Sequence, residues 1–159
     1  MKLITAYTDG SSRGNPGPGG IGIHLSFNGN DKEFSFGFYN VTNNQMELLA
    51  AAYALYVLTE RCKVVLYSDS AYVVNGFNKK WVHGWKKNGW KNSSGKDVKN
   101  PKLWKILDRL VSKHDVTFKH VKAHSGFKYN EIVDKLAVAG AIGHKLDFDK
   151  FISEMEKKI

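Results

Sequence analysis

Four acidic residues stand where they could do chemistry together: Asp9, Glu47, Asp69 and Asp134. Asp9 and Asp69 close two similar segments, Tyr7-Thr8-Asp9-Gly10-Ser11 and Tyr67-Ser68-Asp69-Ser70. β-Favouring residues precede each aspartate, so both read as the ends of strands. If those strands lie side by side and parallel, their carboxyl ends bring the two acids to one crevice, where open α/β sheets bind ligands. Glu47 falls in the first turn of a helix predicted over Gln45–Leu58, and Asp134 in the opening turns of another over Asn130–Ile142. Carboxylates gathered in one place raise one another's pKa values unless a cation neutralises them. Hard oxygen ligands suit Mg²⁺ or Mn²⁺ rather than zinc. Each acid also has a plain local role. Asp9 would favour a turn with Gly10, and Glu47 would close a capping box with Asn44. Asp69 would cap a helix starting near Ala71, and Asp134 would face solvent. Periodicity does not choose between convergence and these four separate roles.

The elements that must position the acids follow from the hydrophobic pattern. Lys2–Thr8 reads as a strand ending at Asp9-Gly10, followed by a glycine- and proline-rich loop from Ser11 to Gly20. Ile21–Phe27 and Glu33–Phe38 form two more strands around the turn Asn28-Gly29-Asn30. Leu48, Ala51, Ala52, Leu55 and Leu58 recur at helical spacing, and Lys63–Tyr67 is a short fourth strand. Short helices over Ala71–Phe77 and Trp81–Lys86 precede an irregular lysine-rich loop. Pro101 suits the first position of a helix running to Ser112. Val116–Val121 is a fifth strand. Asp147–Lys158 sets Phe148, Phe151, Ile152 and Met155 on one helical face. Hairpin connections make the first three strands antiparallel, and helical crossovers make the later ones parallel. The expectation is an α/β domain over residues 1–142, a five-stranded mixed sheet flanked by helices. Residues 143–159 would form an amphipathic helical extension.

At 159 residues, 42% hydrophobic and 25% charged, the chain fits one ordinary globular domain. It holds no apolar run near the ~20 residues of a membrane span, and its opening residues do not form a signal peptide. Cys62 is the single cysteine, which excludes an intrachain disulfide and points to packing in a reducing compartment; the expected location is the cytoplasm. The net charge is +9, and it is concentrated. From Lys79 to Lys105 there are nine lysines against one acid, Asp97, and all four tryptophans, Trp81, Trp85, Trp90 and Trp104, fall there too. Ammonium groups interleaved with flat apolar rings suit phosphates, sugars and bases, so the segment reads as a nucleic-acid platform. Trp104, inside Leu103-Trp104-Lys105-Ile106-Leu107, reads instead as core.

These residues resemble the bacterial type-1 ribonucleases H. The likeness is carried by Asp9-Gly10-Ser11 with Gly14-Asn15-Pro16-Gly17-Pro18-Gly19-Gly20, and by Thr42-Asn43-Asn44-Gln45-Met46-Glu47-Leu48. It continues through Ser68-Asp69-Ser70 with Tyr72-Val73, and through the run from Trp81 to Lys91 with Val98-Lys99-Asn100 and Leu103-Trp104. Val121-Lys122-Ala123-His124-Ser125-Gly126 and Asn130-Glu131 leading to Asp134 complete it, so it spans about Leu3 to Ala141. The resemblance implies the ribonuclease H-like fold with a basic helical protrusion near residues 79–100. It implies a metal-dependent endonuclease that cuts the RNA strand of RNA–DNA hybrids, leaving 5′-phosphate and 3′-hydroxyl ends. Asp9, Glu47, Asp69 and Asp134 match the family's carboxylate set, which would hold two Mg²⁺ ions, with Mn²⁺ a possible substitute. His124 would assist proton movement or product departure. Asn15, Asn43 and Asn44 match positions that contact the hybrid, and Thr42 one that holds a DNA phosphate. Trp81, Trp85, Lys86, Lys87 and Trp90 would grip the DNA strand. A monomer is expected. Ala71 and Asn75 stand where related enzymes usually carry glutamine, and Ala123 where they carry glycine, so weaker substrate contact or altered turnover is expected.

Two other readings compete. A non-catalytic hybrid-binding module would need the basic segment but not four carboxylates beside phosphate. An integrase-like or exonucleolytic enzyme on the same fold would need neither the asparagines nor the protrusion.

Overall fold

The computed structural model describes residues 1–123 and 127–159. Three long strands open it: β1 (Lys2–Ser12), β2 (Gly17–Phe27) and β3 (Asn30–Val41), paired antiparallel in sequence order. Helix α1 (Asn43–Tyr56) then crosses over to β4 (Cys62–Ser68), which lies parallel beside β1. Two short helices, α2 (Ala71–Asn78) and α3 (Trp81–Lys87), lead through the lysine-rich loop to α4 (Pro101–Ser112). Strand β5 (Asp115–His120) adds parallel to β4, and α5 (Lys128–Ile142) follows. The chain closes with β6 (Lys145–Leu146) and α6 (Phe148–Lys158).

The sheet order is β5-β4-β1-β2-β3-β6. It is the mixed sheet the sequence predicts, with one strand more: the two residues of β6 pair parallel with Gly37 and Phe38 of β3. A two-residue strand carries no hydrophobic periodicity, so no pattern announces it. The sequence reading also made the loop after β1 too long. Glycine and proline discourage strand assignment, yet Ser11 and Ser12 pair with Gly20 and Gly19, because the glycines make room for what covers them.

The two faces are covered differently. On one, α1 lies against β1 and β2, with α4 stacked on its outer side. Helix α1 is therefore buried nearly all round, which its run of Ala50, Ala51, Ala52 and Ala54 permits by keeping its girth small. On the other face, α5 lies across β1, β2 and β3. At Gly20 and Gly22 of β2 the α5 backbone comes so close that a Cβ would collide with it. Helix α6 seals the β3 edge: Phe151 packs on Phe36, Phe38 and Tyr53, and Ile152 and Met155 are buried.

Candidate active site

Strands β1 and β4 run parallel in register from Lys2↔Cys62 to Thr8↔Ser68, so Asp9 and Asp69 emerge together at the carboxyl end of the sheet. Glu47 reaches them because Gly10 lets α1 sit directly on β1. A Cβ at residue 10 would strike the backbone of Met46 and Glu47. The ligand oxygens of Asp9, Glu47 and Asp69 lie within 4.8 Å of one another. The amide of Gly10 donates to both Asp9 Oδ1 (2.9 Å) and Glu47 Oε1 (2.7 Å). One backbone N–H thus binds two carboxylates, and it is the only donor the pair receives among the described residues.

Each plain local role gives way. Helix α1 starts earlier than predicted, so Glu47 lies beyond its first turn, and the capping box is made by Thr42 and Gln45 rather than Asn44 and Glu47. Helix α2 is capped by Ser70, not Asp69. Asp134 is half-buried on α5 and interacts with Asp9. Asp9 and Gly10 form no turn: both lie within β1, paired with Gly22 and Ile21, and Asp9 bonds the Gly10 amide as a member of the cluster.

The electrostatics are those of an acid cluster lacking positive charge. Burial first, then the charge of Asp69 and the contact and charge of Asp134, push the Asp9 carboxyl up to about 8, against the pull of the Gly10 amide. Burial, with Asp9 and Asp69 beside it, raises Glu47 well above the ordinary carboxylate range. Asp69 Oδ1 is buried with no hydrogen-bond partner among the described residues. A buried acceptor without a donor is costly, and a hard cation would satisfy it. The donor set is all oxygen, so the residues present fit a divalent metal of that class.

The chain and its fold have known counterparts. The family model for RNase H matches residues 1–142. The chain belongs to the RNase H family. The Ribonuclease H of Pseudoalteromonas atlantica is 56% identical over 146 residues, covering 92% of this chain and 95% of that one. The Ribonuclease HI of Pasteurella multocida is 51% identical over 141 residues, 89% of this chain and 91% of that one. Among solved structures, LC9-RNase H1, a type 1 RNase H with the type 2 active-site motif, superposes with a TM-score of 0.79 at 32% identity, covering 89% of this chain and 72% of that one. The resemblance read in the sequence to type-1 enzymes of bacteria therefore holds.

Beside the acids of this RNase H, the other residues singled out in the sequence form two groups. Asn15, Thr42, Asn43 and Asn44 line one pocket of about 600 Å³, which Lys99 and Asn100 complete from the end of the lysine-rich loop. The side-chain oxygen of Asn15 accepts from the Asn43 amide (3.1 Å), and that of Asn43 from the Ser12 amide (2.7 Å). Both residues are exposed, so their amide NH₂ groups are accessible to a ligand. The Thr42 hydroxyl accepts from Gln45 N at 3.2 Å, so its own proton stays available. Sequence reasoning gave Lys99 and Asn100 no role of their own. They adjoin Pro101, and nothing in their spacing places them beside Asn44.

The second group is the protrusion. Trp81, Trp85 and Trp90 form a chain of rings (6.3 and 6.4 Å between centroids), and Trp85 continues it onto Trp104 at 5.2 Å. Trp104 is fully buried, as its apolar neighbours predict. Trp85 and Trp90 are half-buried against the core, and Trp81 stands at the exposed end. Lys86 and Lys87 are both exposed, and Lys86 also pairs with Asp108 of α4 at 3.1 Å. His124 lies outside the described residues. Two further residues neighbour the acids. His120 Nε2 donates to the backbone carbonyl of Asp69 (3.1 Å), and Asn130, buried, lines a small cavity with Asp69, Glu131 and Asp134. Asn130 belongs to the late motif that leads to Asp134, whereas His120 carries no sequence signal, since only the fold brings it to the Asp69 carbonyl.

Proposed function

We propose that this chain is an endonuclease that hydrolyses the RNA strand of RNA–DNA hybrids with two Mg²⁺ ions, leaving 5′-phosphate and 3′-hydroxyl ends. The observation that carries the reading is the convergence of Asp9, Glu47 and Asp69, with Asp134 against Asp9 and one Asp69 oxygen unpartnered. Four carboxylates serve a protein that approaches phosphate only if cations accompany the ligand, which argues against a pure binding module. Asp9, Glu47, Asp69 and Asp134 would hold the ions. When bound, these lower the pKa of an attacking water and stabilise charge on the departing 3′ oxygen.

The remaining roles fall to the chain itself. Asn15, Asn43 and Asn44 present amides to the wide minor groove, where 2′-hydroxyls distinguish the RNA strand. Thr42, with Lys99 and Asn100 beside it, would hold a DNA phosphate. Trp81, Trp85, Lys87 and Trp90 would lie along the DNA strand, with Lys86 contributing less because Asp108 shares its charge. His124 would carry a proton to or from the reacting phosphate. Ala71, at the exposed start of α2, and Asn75 are too short to reach as a glutamine would, so substrate contact there is reduced. A buried free thiol at Cys62 supports a reducing location, the cytoplasm, and we read the enzyme as a monomer. No helix among the described residues is long and apolar enough to cross a membrane.

The test is a panel of labelled RNA–DNA hybrid, duplex RNA, duplex DNA and single-stranded RNA, with Mg²⁺ and with EDTA. RNA-strand cutting confined to the hybrid and abolished by EDTA is expected. Cleavage of duplex DNA would favour the integrase-like or exonucleolytic alternative.

A further inference from the structure

The face of the sheet beneath α5 carries an aromatic stack for which the chemistry above has no use. Side chains along a strand alternate between faces, so Tyr7 shares a face with Asp9, and Tyr67 of β4 precedes Asp69 by two residues. The parallel register sets Tyr7 opposite Tyr67, and their rings stack 4.7 Å apart at 11°. Tyr129, in the first turn of α5, extends the row, with its ring 5.3 Å from Tyr7 and 4.6 Å from the imidazole of His24. His24 is buried, and its Nδ1 lies 3.1 Å from Glu33 Oε2. Lys128 Nζ sits 5.5 Å from the centre of the Tyr129 ring.

The register of α5 on β2 shows what the row does. Gly20 faces the backbone of Ala137 and Ala141, and Gly22 that of Val133 and Ala137. Two residues of strand advance about 6.7 Å and four residues of helix about 6 Å, so strand and helix keep step. At those two stations backbone meets backbone. One step further the progression reaches His24 on the strand and Tyr129 on the helix, and there side chains meet instead. The N-cap of α5, Phe127, has an apolar side chain that cannot cap, unlike Thr42 at α1 and Ser70 at α2. Asp134 follows Tyr129 by five residues, about 7.5 Å along the axis.

We propose that Tyr129 is a positioning residue for the metal site: packed between Tyr7 and His24, it fixes the first turn of α5 on the sheet and so holds Asp134 beside Asp69 and Asp9. The inference rests on the reading of the four carboxylates as metal ligands. Residues that orient ligands from behind typically change metal affinity by ten- to a hundredfold when lost.

The experiment compares wild type with Tyr129→Phe, Tyr129→Leu, Tyr129→Ala and Asp134→Asn. Mn²⁺ binding to the free protein is read by calorimetry, hybrid cleavage is followed as a function of Mn²⁺, and thermal unfolding is recorded in EDTA. The Leu and Ala variants are expected to weaken Mn²⁺ binding and shift the metal midpoint of cleavage by about tenfold, with KM for the hybrid at saturating metal unchanged. The Phe variant keeps the stack and stays near wild type. Tyr129→Leu retains apolar bulk and helix propensity, so it carries the comparison if the Ala variant does not fold. Wild-type Mn²⁺ affinity in a Leu or Ala variant that merely melts lower would make Tyr129 a packing residue and overturn the proposal. Wild-type affinity in Asp134→Asn as well would overturn the carboxylate reading itself.

Discussion

Asp9 is the residue in which position and chemistry are most tightly joined. It sits just past the last β1–β4 pair, bonds the next amide, and is crowded by Asp69, Glu47 and Asp134. Its pKa of about 8 in the metal-free fold exceeds the roughly 3.9 of an unfolded chain. A raised acid contributes stability that is fully present below pH ~4 and is lost as pH climbs toward 8. Glu47 is shifted the same way. In EDTA, the thermal midpoint of wild type should therefore fall between pH 5 and 8 more steeply than that of Asp9→Asn. Mg²⁺ should raise it more at pH 8 than at pH 5. Parallel pH profiles for the two proteins would contradict the electrostatic account. Gly10 makes a second test. Gly10→Ala forces a methyl into the α1 backbone at Met46 and Glu47, which should cost about 1–3 kcal/mol in denaturant unfolding and weaken metal binding by displacing Glu47. The types of these acids were legible in the sequence, and so was the equivalence of Asp9 and Asp69, because strand ends carry a pattern. The approach of Glu47 was not, since a glycine's bond to a side chain 37 residues further along leaves no local trace.

At the scale of the element, the lysine-rich segment is part surface and part core. Its composition announced nucleic acid, but composition does not distinguish a lysine facing solvent from one facing an acid. Lys86 and Lys87 are both exposed, but Lys86 is also paired with Asp108. The two should therefore differ in the salt dependence of hybrid affinity. Lys87→Ala should reduce the slope of log K against log salt by about one phosphate contact, and Lys86→Ala by clearly less. Equal slopes, read from binding titrations between low and physiological salt, would mean that Lys86 leaves Asp108 for the ligand. The tryptophans show the same limit of sequence. Trp104 was legible as core from its apolar neighbours, whereas the ring-to-ring path from Trp81 through Trp85 to Trp104 needed the fold.

The whole molecule is a sheet with its chemistry at one end and its closure at another edge. The five principal strands, their order of parallel and antiparallel pairing and the main helices were legible, because each has a period or a turn signal. β6 was not, being too short to have one. We propose that residues 143–159 serve stability rather than catalysis, since α6 covers Phe36, Phe38 and Tyr53 far from the acids in the sheet order. Deleting 147–159 exposes those rings and removes the buried Ile152 and Met155. The expected loss is on the order of 3–6 kcal/mol, seen as a lower thermal midpoint, with the rate of hybrid cleavage kept at temperatures where the shortened chain is folded.

The central claim is that the acid cluster, loaded with metal, cuts the RNA strand. The most direct measurement is single-turnover cleavage of an RNA–DNA hybrid with Mg²⁺ by wild type and Asp69→Asn, with hybrid binding recorded alongside. The account predicts 5′-phosphate products from wild type, and hybrid binding without detectable cutting by the variant. A folded wild-type protein that binds the hybrid but cuts nothing with either Mg²⁺ or Mn²⁺ would contradict it.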